Sequence, residues 1–155
     1  MAKAIFVGEF RSRLDEKGRM VFPSDFKAQL TLLEHKSLVV KKNLYHKSLS
    51  LYTLEAWEKE SEKMKESLNL YNKEDAEIWN EFMRNRAIVT PDEKTGRILI
   101  PRHLLEKIEA IKEMVFVGAD DSISLWAAEI YDNTYMSDEE YAALVAKRLG
   151  NSKSS

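Results

Sequence analysis

The chain spells one phrase twice, and that doubling limits its architecture more than any other feature. Residues 14–23 read LDEKGRMVFP and residues 92–101 read DEKTGRILIP. Gly18, Arg19 and Pro23 recur as Gly96, Arg97 and Pro101 at one constant offset. Further along, Phe26 and Leu30 correspond to Leu104 and Ile108, an i, i+4 apolar pair that predicts a short helix. A proline just before it suits a helix start, where the missing N–H has no helical partner to lose. Apolar runs follow at 38–40 and 115–117, then SLSLY at 48–52 and SISLW at 122–126. Their alternation of apolar and polar residues predicts half-buried strands.

Each copy therefore reads strand, charged Gly turn, strand, short helix, strand, turn, strand. One such unit alone cannot bury a sufficient core. Two are expected to close about a pseudo-two-fold axis into one small barrel, a fused dimer rather than a solenoid. The expected class is α+β, divided into a first repeat over 5–53, a connecting helix pair over 54–83, a second repeat over 84–127 and a C-terminal helical segment over 128–150. In the connection, Leu54, Trp57, Ser61, Met64 and Leu68 form a stripe at helical spacing. Asn72 reads as the N-cap of a second helix carrying Ala76, Trp79, Phe82 and Met83 on one face. The short link between them predicts an antiparallel pair. Ser137 and Glu140 form a capping box ahead of Tyr141, Leu144, Val145 and Leu149. These stripes read as core or subunit contacts, with no cofactor role. The tail NSKSS at 151–155 is expected to fray.

Charge narrows the function. The formal net charge is −2, which taken globally argues against a nucleic-acid binder. Its distribution argues otherwise. Residues 11–19 hold Arg11, Arg13, Lys17 and Arg19 against two carboxylates, whereas residues 55–81 hold nine carboxylates against four lysines. The first glycine loop with the strand before it is thus net positive within an acidic chain. An enzyme would need a convergent nucleophile, base or metal set. His35, His46 and His103 have no metal-ligand spacing, and no phosphate-cradling or dinucleotide motif is present. With no cysteine there is neither a disulfide framework nor a thiolate metal site, which fits a cytosolic protein. The N-terminal residues do not read as a secretory signal, and no apolar run approaches the roughly 18 residues of a membrane span. No cofactor, metal or small-molecule substrate is expected.

The Gly-Arg turn has two chemical readings. Gly18 and Gly96 supply the φ > 0 that a tight turn between strands requires. An arginine at the strand end, steered by a nearby carboxylate, presents a planar fork that matches guanine O6/N7 or phosphate. Alternatively, Asp15–Arg19 and Glu93–Arg97 are ion pairs that simply close the barrel. A scaffold protein without DNA binding, built on the amphipathic helices, is a further alternative.

Together with YHKSLSLYTLEAWE and FVGADDSISLWAAEIY downstream, the doubled phrase resembles the MraZ family of bacterial transcription regulators over residues 5 to 149. The resemblance implies two SpoVT/AbrB-like halves in a double-split, swapped-hairpin β-barrel with appended helices. It also implies homo-oligomeric rings on double-stranded promoter DNA ahead of the division and cell-wall gene cluster, in the cytoplasm and at the nucleoid. A repressor acting on its own gene is the expected role. A ring relates neighbours by rotation, so direct repeats about one helical turn apart are the expected target. Asp15 and Arg19 match the family's first Asp-x-x-x-Arg motif, and Arg97 matches the second motif's arginine. Glu93 fills the second motif's aspartate position, with Asp92 one residue earlier, so the second loop is expected to have drifted toward a structural role. Arg13, Lys17, Lys94 and Thr95 complete the candidate DNA contacts, the loop-tip residues toward phosphate.

Overall fold

The computed structural model describes residues 3–150, so the tail NSKSS lies outside the described residues. The first repeat supplies β1 (Glu9–Arg13), β2 (Arg19–Val21), α1 (Ser24–Leu30), β3 (Leu38–Lys42) and β4 (Ser48–Thr53). Two helices follow, α2 (Leu54–Glu66) and α3 (Lys73–Met83). The second repeat supplies β5 (Arg86–Val89), β6 (Arg97–Leu99), α4 (Arg102–Lys107), β7 (Glu113–Gly118) and β8 (Ser122–Ala127). The chain continues through α5 (Ala128–Asn133) and α6 (Asp138–Leu149). The expected element order is present in both copies, and the α+β class holds.

Strand pairing ties the copies together. One sheet runs β1-β7-β8-β4-β3-β5, and a separate ribbon pairs β2 with β6. All of these pairs are antiparallel. The first strand of each repeat leaves its own repeat: β1 lies along β7, and β5 lies along β3. At the centre β4 meets β8, Ser50 opposite Ser124. Neither repeat completes its sheet without the other.

Alternation decides which side chains are buried. Along β4, Leu49 and Leu51 are fully buried while Ser50 and Tyr52 lie on the opposite face, half-buried. The helical pairs anticipated from spacing, Phe26 with Leu30 and Leu104 with Ile108, all enter the core. Pro23 and Pro101 sit at the N-cap positions, with φ of −53° and −56°. The centre of the core is aromatic. Phe26 meets the rings of Phe6, Phe10 and Phe22 edge-on, with centroids 5.4, 4.9 and 6.1 Å away. Edge-to-face contact matches positive ring edges to negative faces and adds to the area buried.

The helices cap as the sequence indicates. Asn72 accepts from the Asp75 N–H, and Ser137 Oγ accepts from the Glu140 N–H. Glu140 answers with its side chain on the Ser137 hydroxyl, not on the backbone N–H that a reciprocal box would use. Trp57, at the start of α2, stacks on Phe82, at the end of α3, with an interplanar angle of 11°. This contact joins opposite ends of the two helices, as in an antiparallel hairpin. Arg86 and Lys41 lie over the Trp57 and Phe82 rings. That stripe is therefore occupied within the chain, while Tyr141, Leu144 and Val145 on α6 remain exposed. No helix among the described residues is long and apolar enough to cross a membrane.

Because Phe26 meets three other rings from a fully buried position, Phe26→Ala should cost about 3–5 kcal/mol. Urea unfolding measures it. A loss below about 1 kcal/mol would show that the aromatic cluster is not tightly packed.

Candidate nucleic-acid interface

The two Gly-Arg phrases form the β2–β6 ribbon. Its register sets Arg19 opposite Leu99 and Val21 opposite Arg97, with Met20 opposite Ile98 between them. Side chains alternate, so Met20 and Ile98 are buried while Arg19, Val21, Arg97 and Leu99 share the outer face. The ribbon continues past the named strands, where Phe22 N–H donates to Gly96 O and Ile100 N–H donates to Gly18 O. Gly18 and Gly96 adopt φ of +85° and +70°, the left-handed conformation that the turn needs.

Each loop is closed by an aspartate. Asp15 N–H donates to Arg19 O, and Gly18 N–H donates back to Asp15 O. Asp15 Oδ1 accepts the Lys17 and Arg19 N–H groups. In the second loop Asp92 N–H donates to Arg97 O, Gly96 N–H donates to Asp92 O, and Asp92 Oδ2 accepts the Lys94 and Thr95 N–H groups. Asp92 thus holds the place expected of Glu93. The second loop has one extra residue between its aspartate and its glycine, so a constant offset through Gly96 sets Glu93, not Asp92, opposite Asp15. The expected Glu93–Arg97 ion pair is absent from the described residues. Glu93 instead offers its carbonyl to Lys27 Nζ at 3.1 Å.

Both arginines turn to the first loop's carboxylate. Arg19 Nε donates to Asp15 Oδ2 at 3.0 Å, and Arg97 Nη1 lies 3.9 Å from the same oxygen. The Arg19 bond uses Nε, and its two terminal nitrogens make no hydrogen bond among the described residues. Backbone N–H donation from Arg19, then its side chain and the Lys17 N–H, hold the Asp15 carboxyl below its ordinary pKa despite the opposing effect of burial. Asp92 is lowered mainly by the Thr95 N–H and hydroxyl.

The other candidates fall at the margins. Lys17 and Lys94 sit exposed on the loop tips, and neither makes an ion pair among the described residues. Thr95 Oγ1 accepts from the Arg97 N–H at 3.3 Å, a turn contact. Arg13 ends β1 beside Glu113 at 3.7 Å, apart from the Asp15 cluster. Two cations escaped the sequence reading. Lys27 on α1 reaches the Asp92 and Glu93 carbonyls of the second loop, and Arg102 on α4 reaches the Glu16 carbonyl of the first. Each repeat's helix clasps the other's turn. The only signal was a cation after each proline, at positions that do not align. Among the described residues no group of three or more His, Cys, Asp or Glu is placed to hold a metal ion.

A tandem-repeat α+β protein with exchanged strands and a two-arginine ribbon is the class that fold and site define. The family model described as "MraZ protein, putative antitoxin-like" matches residues 5–80 and 82–150. The chain belongs to the MraZ family. A Bacteroides thetaiotaomicron protein named "Transcriptional regulator MraZ" is 33% identical, over 94% of this chain and 93% of its own length. Proteins of the same name from Phocaeicola vulgatus and Caldanaerobacter subterraneus subsp. tengcongensis are 28% and 30% identical. Those alignments cover 94% and 95% of this chain, and 94% and 98% of the relatives.

The lowered Asp15 and Asp92 carboxyls stabilise the fold while ionised. That contribution is complete above the ordinary carboxyl value and is lost as pH falls through the lowered one. From about pH 4 to about pH 2, the urea midpoint should therefore drop more steeply for the unaltered chain than for Asp15→Asn. Parallel curves would mean that Asp15 carries an ordinary carboxyl.

Proposed function

We propose that the chain is a sequence-specific DNA-binding transcriptional regulator. The reading extends to a cytoplasmic, nucleoid-associated repressor of the division and cell-wall gene cluster, its own gene included. The observation that carries it is the outer face of the β2–β6 ribbon. Two arginines from different repeats stand there beside one carboxylate, with Lys17 and Lys94 at the flanking tips. A two-stranded ribbon fits the major groove, where an arginine fork pairs with guanine O6 and N7. The regulator names borne by the relatives support the same reading.

The exchange of β1 and β5 between the repeats supports a double-split barrel, with repeats 5–53 and 84–127 as its halves. A homo-oligomeric ring supplies the affinity that one ribbon lacks, because linked sites raise effective concentration without new contacts. The exposed Tyr141, Leu144 and Val145 of α6 are a candidate surface for ring contacts. Such a ring would favour direct repeats over a palindrome.

A gel-shift titration against the chain's own promoter region, at several salt concentrations, tests the function. Arg19→Ala should remove a base contact worth about 1–3 kcal/mol. Lys17→Ala should weaken all sequences alike and reduce the salt slope by about one. Arg97→Ala should cost less than Arg19→Ala, since Arg97 lies farther from the carboxylate that positions both. Full affinity of folded Arg19→Ala would assign the ribbon a structural role. The absence of any sequence-selective shift would favour the scaffold alternative.

A further inference from the structure

The ribbon's outer face carries two apolar side chains that stand outside the core cluster. Val21 and Leu99 are each 55% exposed, although both flank arginines on an otherwise polar surface. Their register is reciprocal: Val21 stands opposite Arg97, and Leu99 stands opposite Arg19. The four side chains thus form a square with arginines on one diagonal and aliphatic groups on the other. Directly opposed residues in such a pair stand about 4.5–5.5 Å apart, and diagonal ones about 7–8 Å. Stacked base pairs rise about 3.4 Å, so each aliphatic group lies within about two base steps of an arginine's target.

We propose that Val21 and Leu99 read thymine 5-methyl groups next to the guanines contacted by Arg19 and Arg97. The inference rests on the DNA-binding reading above and deepens it from phosphate and guanine contact to a mixed code. In the major groove the thymine methyl is the apolar feature that separates thymine from cytosine, and aliphatic side chains are its partners. The alternation of guanidinium and aliphatic groups at base-step spacing selects DNA as the occupant of this face. Lys17 and Lys94 flank the square at the loop tips, where Glu16 and Glu93 offset their charge. Met20 and Ile98 anchor the ribbon to the core from beneath the square.

The test begins with a duplex selected from a random library by the unaltered chain, with affinity read by fluorescence anisotropy. Replacing thymines by deoxyuridine removes the methyl groups alone, and replacing guanines by 7-deazaguanine removes N7 alone. The unaltered chain should lose about fourfold in affinity per contacted thymine, the factor for one buried methyl. Val21→Ser and Leu99→Ser, checked for melting, should each erase part of that discrimination while keeping the 7-deazaguanine penalty. In the unaltered complex, NOEs should link labelled valine and leucine methyls to thymine methyls; their absence overturns the proposal whatever the variants do. Indifference to deoxyuridine with a retained 7-deazaguanine penalty overturns the methyl code and leaves the arginine reading standing. Undiminished discrimination in the serine variants assigns the methyl contact elsewhere and overturns it too. Failure to select any sequence would sink the DNA-binding reading and this inference together.

Discussion

Strand exchange between the two repeats is the constraint on which the rest of the structure depends. β1 completes the second repeat's half of the sheet and β5 completes the first's, so each phrase's first strand is anchored in the opposite half. The segments between must cross, and they meet as the β2–β6 ribbon. An arginine from each copy is thereby brought to the same small surface, though the two are far apart in sequence. The hydrophobic effect enforces the arrangement, because Met20, Phe22, Ile98 and Ile100 under the ribbon belong to the same core as Phe26, Leu49 and Phe116. Pulling the ribbon apart would expose that core from both sides.

The electrostatics follow from the geometry. A single carboxylate, Asp15, stands beside both arginines, while its counterpart Asp92 is spent on the Lys94 and Thr95 backbone. Pseudo-symmetry of the backbone is therefore not symmetry of charge. Lys27 and Arg102 add a second kind of exchange, since each holds the other repeat's loop by its carbonyls. The acidic connection over α2 and α3 carries much of the chain's negative charge away from this edge. An overall charge of −2 coexists with two guanidinium groups on the ribbon's outer face.

Much of this was legible in the sequence for identifiable reasons. Repeats, alternation and helical spacing are local patterns, and they announced both copies, the helix pair, the Asn72 and Ser137 caps and the left-handed glycines. What escaped is non-local. One added residue before Gly96 makes offset counting select Glu93, whereas backbone hydrogen bonding selects Asp92. The Lys27 and Arg102 clasps join residues distant in sequence, as does the bidentate Arg11–Asp132 pair between β1 and α5. Likewise Trp57 and Phe82 were visible as apolar faces, but only the folded hairpin reveals that they satisfy each other. The exposure of Val21 and Leu99 depends on a ribbon pairing that no single copy specifies.

In the proposed function, Arg19 and Arg97 act as one surface created by strand exchange. A double-mutant cycle on DNA affinity, using Arg19→Ala, Arg97→Ala and the pair, tests it most directly. Groups that share a partner or a binding surface couple by about 0.5–3 kcal/mol, whereas independent sites add within about 0.3–0.5 kcal/mol. Coupling in the larger range is expected, reduced when Asp15→Asn removes the shared carboxylate's charge. Additive losses in folded variants would contradict it.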